Sequence, residues 1–180
     1  MRPLLSNYIK KIVEYDLLNK FSYSSIGEIP ILHKIVLCFE YKNPSYKQIL
    51  NSLLVLSLIS NRTNISLLTL KNSNVSLKLR SGSPVGCKIT LKGINMLEFL
   101  STLFLVLLPQ DKKFKGVKTK FNLKDAVSLN FRSLFLFDEL KSNYALVRDL
   151  SSLSIVIVTS ANNFSEIVFL LQSLKLRFIP

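Results

Sequence analysis

In the stretch GSPVGCKITLKGINMLEFL, residues 82 to 100, a strand pattern passes directly into a helix pattern, which is the clearest indication of the fold in this chain. Apolar and polar residues alternate in its first part, with Cys87, Ile89 and Leu91 against Lys88, Thr90 and Lys92. This alternation predicts a strand with one face in the core and one face free. Apolar residues then recur at helical spacing, which predicts a helix from about Asn95 to Leu108 that ends at Pro109.

Alternation typical of strands and spacing typical of helices recur along the rest of the chain. They predict helices at 4–20, 48–60 and 163–174, and strands at 29–41, 65–70, 75–80, 85–91, 127–137 and 152–160. Pro44 and Ser45 mark the start of the second helix, and the residues NRTN after Ser60 end it. Short turns between strands favour antiparallel pairing. The sequence therefore predicts an α+β fold, in which helices pack on one face of a mainly antiparallel sheet, in a single domain of residues 1–180.

The charge of the chain indicates a polyanionic partner. It has 180 residues, 24 Lys and Arg against 11 Asp and Glu, and a formal net charge of +13. No acidic residue occurs between Glu40 and Glu98, and a second basic cluster, KKFKGVKTK, spans 112–120. Such a field favours nucleic acid or anionic lipid.

The sequence predicts no catalytic residue, cofactor or metal ligand. GSPVGCK lacks the spacing of a phosphate-binding loop, and the two cysteines, with His33 as the only histidine, do not form a zinc pattern. Cys87 has no marked base partner and is expected to be a small buried residue. Asp138 and Glu139 are adjacent in sequence and therefore point in different directions, unlike an acid/base pair.

Two apolar stretches are expected to be core helices. ILNSLLVLSLI at 49–59 and MLEFLSTLFLVLL at 96–108 are shorter than a continuous membrane-spanning run. The N-terminal residues resemble neither a secretory signal nor an imported presequence. We expect a protein made in the compartment where it works, or one whose presequence is missing from this chain.

The segment LRSGSPVGCKITLKGINMLEFL, 79–100, closely resembles the central segment of the family of large-subunit ribosomal protein number five. The resemblance extends in register over nearly the whole chain, including NYIKKIVEYDLLNKFSYSSIGEIPILHKIVL near the start, FKGV at 114–117 and FDEL at 137–140. The segment LSIVIVTSANNFSE near the end is similar to the corresponding segment of mitochondrial members of the family. A composition rich in Leu, Ser, Lys, Asn and Phe, without Trp, further hints at coding by an organelle genome.

The resemblance implies a non-enzymatic structural protein of the mitochondrial large subunit, in the matrix. Its implied partners are 5S rRNA and large-subunit rRNA, P-site tRNA, neighbouring proteins of the central protuberance and a small-subunit head protein. The implied bridge to that head protein lies around Asn130 to Asn143. A rigid sheet face that carries Lys and Thr suits RNA, because it contacts phosphates and 2′-hydroxyls.

Carried over position by position, the family's rRNA-facing residues fall at Cys38, Thr63 and Thr90. Cys38 and Thr63 replace amides that are usual in the family, so we expect more of the contact to come from cations. The expected rRNA-binding set is Lys34, Cys38, Arg62, Thr63, Lys88, Thr90 and Lys92. The expected tRNA-facing loop lies at 71–80, with Lys71, Lys78 and Arg80.

Two other classes of function are weighed against this interpretation. A peripheral membrane protein would use its basic clusters on anionic lipid, but these lie on predicted strands and loops and not along one amphipathic helix. An enzyme acting on nucleic acid would need acidic metal ligands or a base, and the acid-free span supplies neither.

Overall fold

The computed structural model describes residues 4–42, 44–73, 75–76, 79–111, 114, 116–118, 126–161 and 163–179. The helices are α1 (Leu4–Tyr8), α2 (Glu14–Lys20), α3 (Tyr46–Ser60), α4 (Gly93–Thr102), α5 (Leu108–Gln110), α6 (Asp138–Lys141), α7 (Tyr144–Val147) and α8 (Phe164–Ser173). The strands are β1 (Leu32–Glu40), β2 (Ser66–Thr69), β3 (Pro84–Leu91), β4 (Val117–Lys118), β5 (Ala126–Phe131), β6 (Leu153–Thr159) and β7 (Phe178–Ile179). π-Helical turns lie at Ile9–Val13 and Leu103–Leu107, and 3₁₀ turns at Ile26–Glu28 and Leu134–Leu136.

Five strands form one sheet in the order β2-β3-β1-β6-β5, and β4 pairs with β7 separately. β2 runs antiparallel to β3. The amide of Tyr41, just after β1, donates to the carbonyl of Val85 near the start of β3. The amide of Ser160, just after β6, donates to the carbonyl of Ile31, just before β1. These end-to-start bonds are those of antiparallel neighbours, and the predicted α+β fold with a mainly antiparallel sheet is confirmed.

The chain divides into two compact units. The terminal unit comprises Met1–Ile35, Lys92–Ser128 and Val156–Pro180, and the central unit comprises Val36–Leu91 and Leu129–Ile155. Strands β1, β5 and β6 contribute residues to both units. The single domain expected from the sequence stays a prediction.

Alternation along the strands separates core from surface as predicted. In β1, Ile35, Leu37 and Phe39 are fully buried. In β3, Cys87, Ile89 and Leu91 are buried, while Lys88 and Thr90 are exposed. Residues of a strand alternate between its faces, so β1 and β3 each have one face in the core.

Helix α3 begins with a capping box. The Ser45 hydroxyl accepts from the amide of Gln48 at 3.3 Å, and the Gln48 side chain accepts from the amide of Ser45 at 3.0 Å. Ser45 is the N-cap, so Pro44 precedes the helix and lies outside its first turn. Asn61, in the left-handed conformation, ends the helix.

The helix that starts at Gly93 is longer than the sequence predicts. α4, the π-helical turn and α5 run without interruption to Gln110, and Pro109 lies inside the last turn instead of ending the helix. Pro109 lies where the hydrogen-bond pattern changes, since the amide of Leu108 donates to the carbonyl of Leu103, five residues back, and the amide of Asp111 to that of Leu107, four residues back.

By length and composition alone, these 18 residues could cross a membrane, a test that core helices also pass. One side of the helix is buried, at Met96, Leu100, Leu103 and Leu107. Their spacing of three and four residues is the stripe of a helix that packs on a core, in agreement with the expected core helix.

Three local predictions need correction. Residues 75–80 are not a strand where they are described, because Val75 and Ser76 form a turn and Leu79 makes an isolated bridge. The strand expected at 127–137 ends at Phe131. The helical spacing of the apolar residues within 4–20 predicts Ile12 and Leu18 on the buried side of the N-terminal helix, but both are exposed and Val13, in the π-helical turn, is buried instead.

Candidate nucleic-acid interface

Strand β3 presents Lys88 and Thr90 on the face opposite the helical layer of the central unit. Helix α3 packs against β3, and the Ser52 hydroxyl of α3 lies 2.9 Å from the Cys87 sulfur. Since Cys87 points toward α3, its neighbours in sequence point away from it. The ammonium of Lys88 and the hydroxyl of Thr90 are therefore available to a ligand on the free face.

Strand β2 adds a second hydroxyl beside Lys88. Ser66 is the direct partner of Lys88 in the antiparallel register, and its hydroxyl donates to the Lys88 carbonyl at 3.2 Å. Directly paired residues lie on the same face. Ser66 did not emerge from the sequence, because only the register of β2 on β3 places it there.

Cys38 occupies the less buried face of β1, with Val36, but only 8% of its surface is exposed. Its thiol donates to a carboxylate oxygen of Glu40 at 3.7 Å. Burial, and then the charge of Glu40, raise the pKa of Cys38 to about 11. The thiol is neutral at physiological pH, so it offers a weak donor and no charge; its part in RNA binding stays a prediction.

Cys87 is a buried residue of the core, as expected. It is fully buried, and burial raises the pKa of its thiol while the Ser52 hydroxyl partly opposes this. A thiol held in its neutral form is a poor nucleophile and a poor metal ligand. Among the described residues, no three His, Cys, Asp or Glu side chains cluster as metal ligands would.

Arg62 and Thr63 lie in the loop between α3 and β2. Both are exposed, and the Thr63 carbonyl accepts from the amide of Ile65 at 2.8 Å. The left-handed turn at Asn61 directs the chain out of the helix, so these two residues extend beyond its last turn.

Lys71 and Arg80 are exposed near the base of the hairpin loop between β2 and β3. The amide of Leu70 donates to the carbonyl of Ser83 at 3.0 Å, and the amide of Gly82 donates to the carbonyl of Leu70 at 2.9 Å. Gly82 adopts a φ of 82°, which suits glycine. These bonds close the loop, and Lys71 and Arg80 lie at its two ends. Lys78 lies outside the described residues.

Two of the expected rRNA-binding residues, Lys34 and Lys92, belong to the terminal unit. Lys34 is half-buried on β1. Lys92 is exposed, and its extended backbone forms the N-cap of α4. The basic cluster at 112–120 lies mostly outside the described residues.

The central-unit site is thus a shallow, rigid set of cations and hydroxyls. Lys88, Thr90 and Ser66 stand on hydrogen-bonded strands, and the exposed carboxylate of Glu40 is on the adjacent strand β1. Such a face can neutralise phosphates and bond hydroxyls, but it has no group poised for proton transfer or nucleophilic attack.

Comparison with known proteins agrees with this geometry. A family model described as the ribosomal L5P family C-terminus matches residues 84–178. The chain is 34% identical over 175 residues to the large ribosomal subunit protein uL5m of Reclinomonas americana, with 96% of each chain covered. It is 33% identical over 181 residues to the large ribosomal subunit protein uL5 of Oceanobacillus iheyensis, with 99% of each chain covered.

The fold, the free basic face and these similarities define a structural protein of the large ribosomal subunit. More narrowly, the chain belongs to the ribosomal L5P family.

Proposed function

We propose that this protein binds 5S rRNA in the central protuberance of the large ribosomal subunit, and that the free face of β3 is part of the contact. The observation that carries this proposal is the exposure of Lys88 and Thr90 on the side of β3 opposite α3. The proposed role is structural and involves no catalytic step.

Charge supports RNA as the ligand of this face. The span 41–97 contains no acidic residue, while Arg62, Lys71, Arg80 and Lys88 are exposed within it. Phosphate neutralisation by such cations provides most of the affinity of proteins for nucleic acid, and hydroxyls at fixed positions distinguish RNA through its 2′-hydroxyls. Lys34, Lys92, Thr63 and Cys38 complete the proposed rRNA-binding set.

The hairpin loop is the proposed contact with P-site tRNA. Lys71 and Arg80, which stand at its two ends, would approach the phosphates of tRNA, and Lys78 is proposed for the same role. Further proposed partners are neighbouring central-protuberance proteins and a small-subunit head protein, the latter near Asn130 to Asn143.

We place the protein in the mitochondrial ribosome and propose coding by the organelle genome. The similarity to uL5m of Reclinomonas americana supports the location, and the composition without Trp supports the coding. Mass spectrometry of purified mitochondrial ribosomes, together with sequencing of the organelle genome, tests both statements. Recovery of the protein only from another ribosome would overturn the location.

Binding of a 5S rRNA transcript over a range of salt concentrations tests the proposed function. We expect the affinity to fall steeply as salt rises, because bound cations displace counterions. The double substitution Lys88→Glu with Lys92→Glu should weaken binding strongly. Lys10→Glu with Lys11→Glu is the matched control, since it changes the net charge equally at exposed positions on the N-terminal helix. A flat salt response, or equal losses in both variants, would contradict the assigned face.

Anionic lipid is the alternative ligand for a basic surface. Flotation with phosphatidylserine vesicles, after RNase treatment of the protein, separates the two proposals. We expect the protein to remain unbound to vesicles at a salt concentration at which it still binds 5S rRNA. The reverse result would favour the lipid-binding interpretation.

A further inference from the structure

The central unit has a surface pocket where the start of α3 meets the end of the hairpin loop. Its lining residues are Pro44, Tyr46, Ile49, Leu79, Ser83 and Pro84, and its volume is about 220 Å³. The lining combines apolar side chains with one aromatic ring and one hydroxyl. Pockets of this kind hold a flat, partly apolar group and orient it through few polar contacts.

Tyr46 is unusually open for an aromatic residue. It is 83% exposed, although it stands in the first turn of a helix whose next apolar residue, Ile49, is 6% exposed. The ring thus forms part of the wall of the pocket, and Ile49 lies beneath the surface. Removing an exposed ring costs little folding free energy, so Tyr46 can be substituted with little effect on the fold.

Two exposed cations adjoin the lining residues of this pocket in sequence. Lys47 follows Tyr46 in α3 and is exposed. Arg80 is also exposed, and its carbonyl accepts from the amide of Ser83 at 3.2 Å and from the Ser83 hydroxyl at 2.7 Å. Because Ser83 lines the pocket, these two bonds hold the backbone of Arg80 at its edge.

We infer that this pocket takes one unstacked base of a single-stranded or looped RNA, which stacks on the ring of Tyr46 while its flanking phosphates meet Lys47 and Arg80. The inference rests on the proposed function and adds a base contact to what is otherwise a phosphate and hydroxyl surface. Proteins that bind unpaired RNA combine such aromatic platforms with cations that follow the backbone.

Charge favours RNA over a protein side chain as the occupant. The lining residues and both adjoining cations fall within the acid-free span 41–97. An apolar protein side chain would fill the pocket but would leave Lys47 and Arg80 without a counter-charge, whereas a nucleotide satisfies both the ring and the cations.

Short oligouridine with one central 2-aminopurine tests the inference, because the fluorescence of 2-aminopurine is quenched when it stacks. We expect quenching with the wild-type protein and with Tyr46→Phe, which keeps a stacking ring. Tyr46→Ala should abolish the quenching and lower the affinity by about fivefold or more. Tyr15→Ala, which removes a 64% exposed ring from the N-terminal helix, is the matched control and should change neither quantity.

The same variants, titrated with a 5S rRNA transcript and with a tRNA transcript, identify the source of the base by the RNA whose affinity falls. Equal quenching and equal affinity for wild type and Tyr46→Ala would overturn the pocket as a base site and would favour a protein occupant. Lys88→Glu with Lys92→Glu tests 5S rRNA binding by the β3 face independently of the pocket. If that variant loses 5S rRNA while Tyr46→Ala retains full affinity for both RNAs, the pocket inference fails and the proposed function stands.

Discussion

Gly86 of β3 lies so close to Phe39 of β1 that a side chain at position 86 would overlap the carbonyl oxygen of Phe39. Two backbones can approach in this way only where one residue lacks a Cβ atom. The contact joins the strand that carries Lys88 to the central strand of the sheet. Gly86 is therefore a packing point between β1 and β3, two residues before Lys88 of the candidate interface.

Gly86→Ala should destabilise the protein by about 2 kcal/mol or more, because the added methyl group forces β1 and β3 apart. Urea denaturation measures the change in the free energy of unfolding. Gly27→Ala is the matched control, since a Cβ there meets no atom within 4 Å. Equal stability of the two variants would contradict the close approach.

Ser45→Ala should cost about 1 kcal/mol of stability through loss of the capping box of α3. Ser57→Ala in the same helix is the control, because the Ser57 hydroxyl bonds only a carbonyl of its own helix, that of Leu54. That change should be close to neutral, as alanine is the better helix former. Denaturation curves of both variants provide the comparison, and a larger loss for Ser57→Ala would refute the assigned cap.

Lys88→Gln and Thr90→Val should weaken RNA binding in different ways. Loss of one phosphate contact at Lys88 should make the slope of log affinity against log salt shallower by roughly one. Loss of the Thr90 hydroxyl should lower affinity by about fivefold without changing that slope, since a neutral hydrogen bond releases no counterion. Filter binding at several salt concentrations measures both. A changed slope for Thr90→Val would rule out the neutral contact.

The folded-state pKa of Cys38, raised to about 11 from its usual 9.0, predicts a loss of stability in alkaline solution. Between these two values the unfolded chain releases the thiol proton and the folded protein retains it, so the free energy of unfolding falls as pH rises from 9 toward 11. Cys38→Ala lacks this component. From pH 9 toward pH 11, the wild type should therefore lose stability relative to the variant.

Urea denaturation at pH 8, 9, 10 and 11 measures that difference. The buried thiol of Cys87 and the tyrosines Tyr23 and Tyr41, whose pKa values are also raised, are present in both proteins, so their contributions cancel in the comparison apart from the charge repulsion between Cys87 and Cys38. A difference that is independent of pH would show that burial does not suppress ionisation of Cys38.

Lys71→Glu with Arg80→Glu should reduce tRNA binding to assembled ribosomes more strongly than 5S rRNA binding of the isolated protein, because both residues stand at the ends of the hairpin loop. Lys10→Glu with Lys11→Glu is again the control of equal charge. If the loop variant loses 5S rRNA and retains tRNA, the two proposed surfaces are assigned the wrong way round.

Strands in which apolar and polar residues alternate strictly were predicted well, because this alternation alone indicates a strand with one buried face. Ile35, Leu37 and Phe39 on β1, and Cys87 and Ile89 on β3, lie in the core as their spacing indicates. Prediction failed where backbone geometry departs from the ideal period. The π-helical turn at Ile9–Val13 changes which side of the N-terminal helix is buried. The one at Leu103–Leu107 is followed by α5, so the helix continues through Pro109, where the sequence predicts its end.

Composition and a long motif are local properties of the chain, so the fold class, the family and the basic, acid-free character of residues 41–97 could be predicted from the sequence. The groups that share a surface, in contrast, became known from the packing of the folded chain. The register of β2 on β3 placed Ser66 beside Lys88, the packing of α3 assigned Cys87 to the core, and the meeting of α3 with the hairpin loop made the pocket at Tyr46. Strand register and contacts between distant segments depend on the packing of the whole core, which no single stretch of sequence specifies.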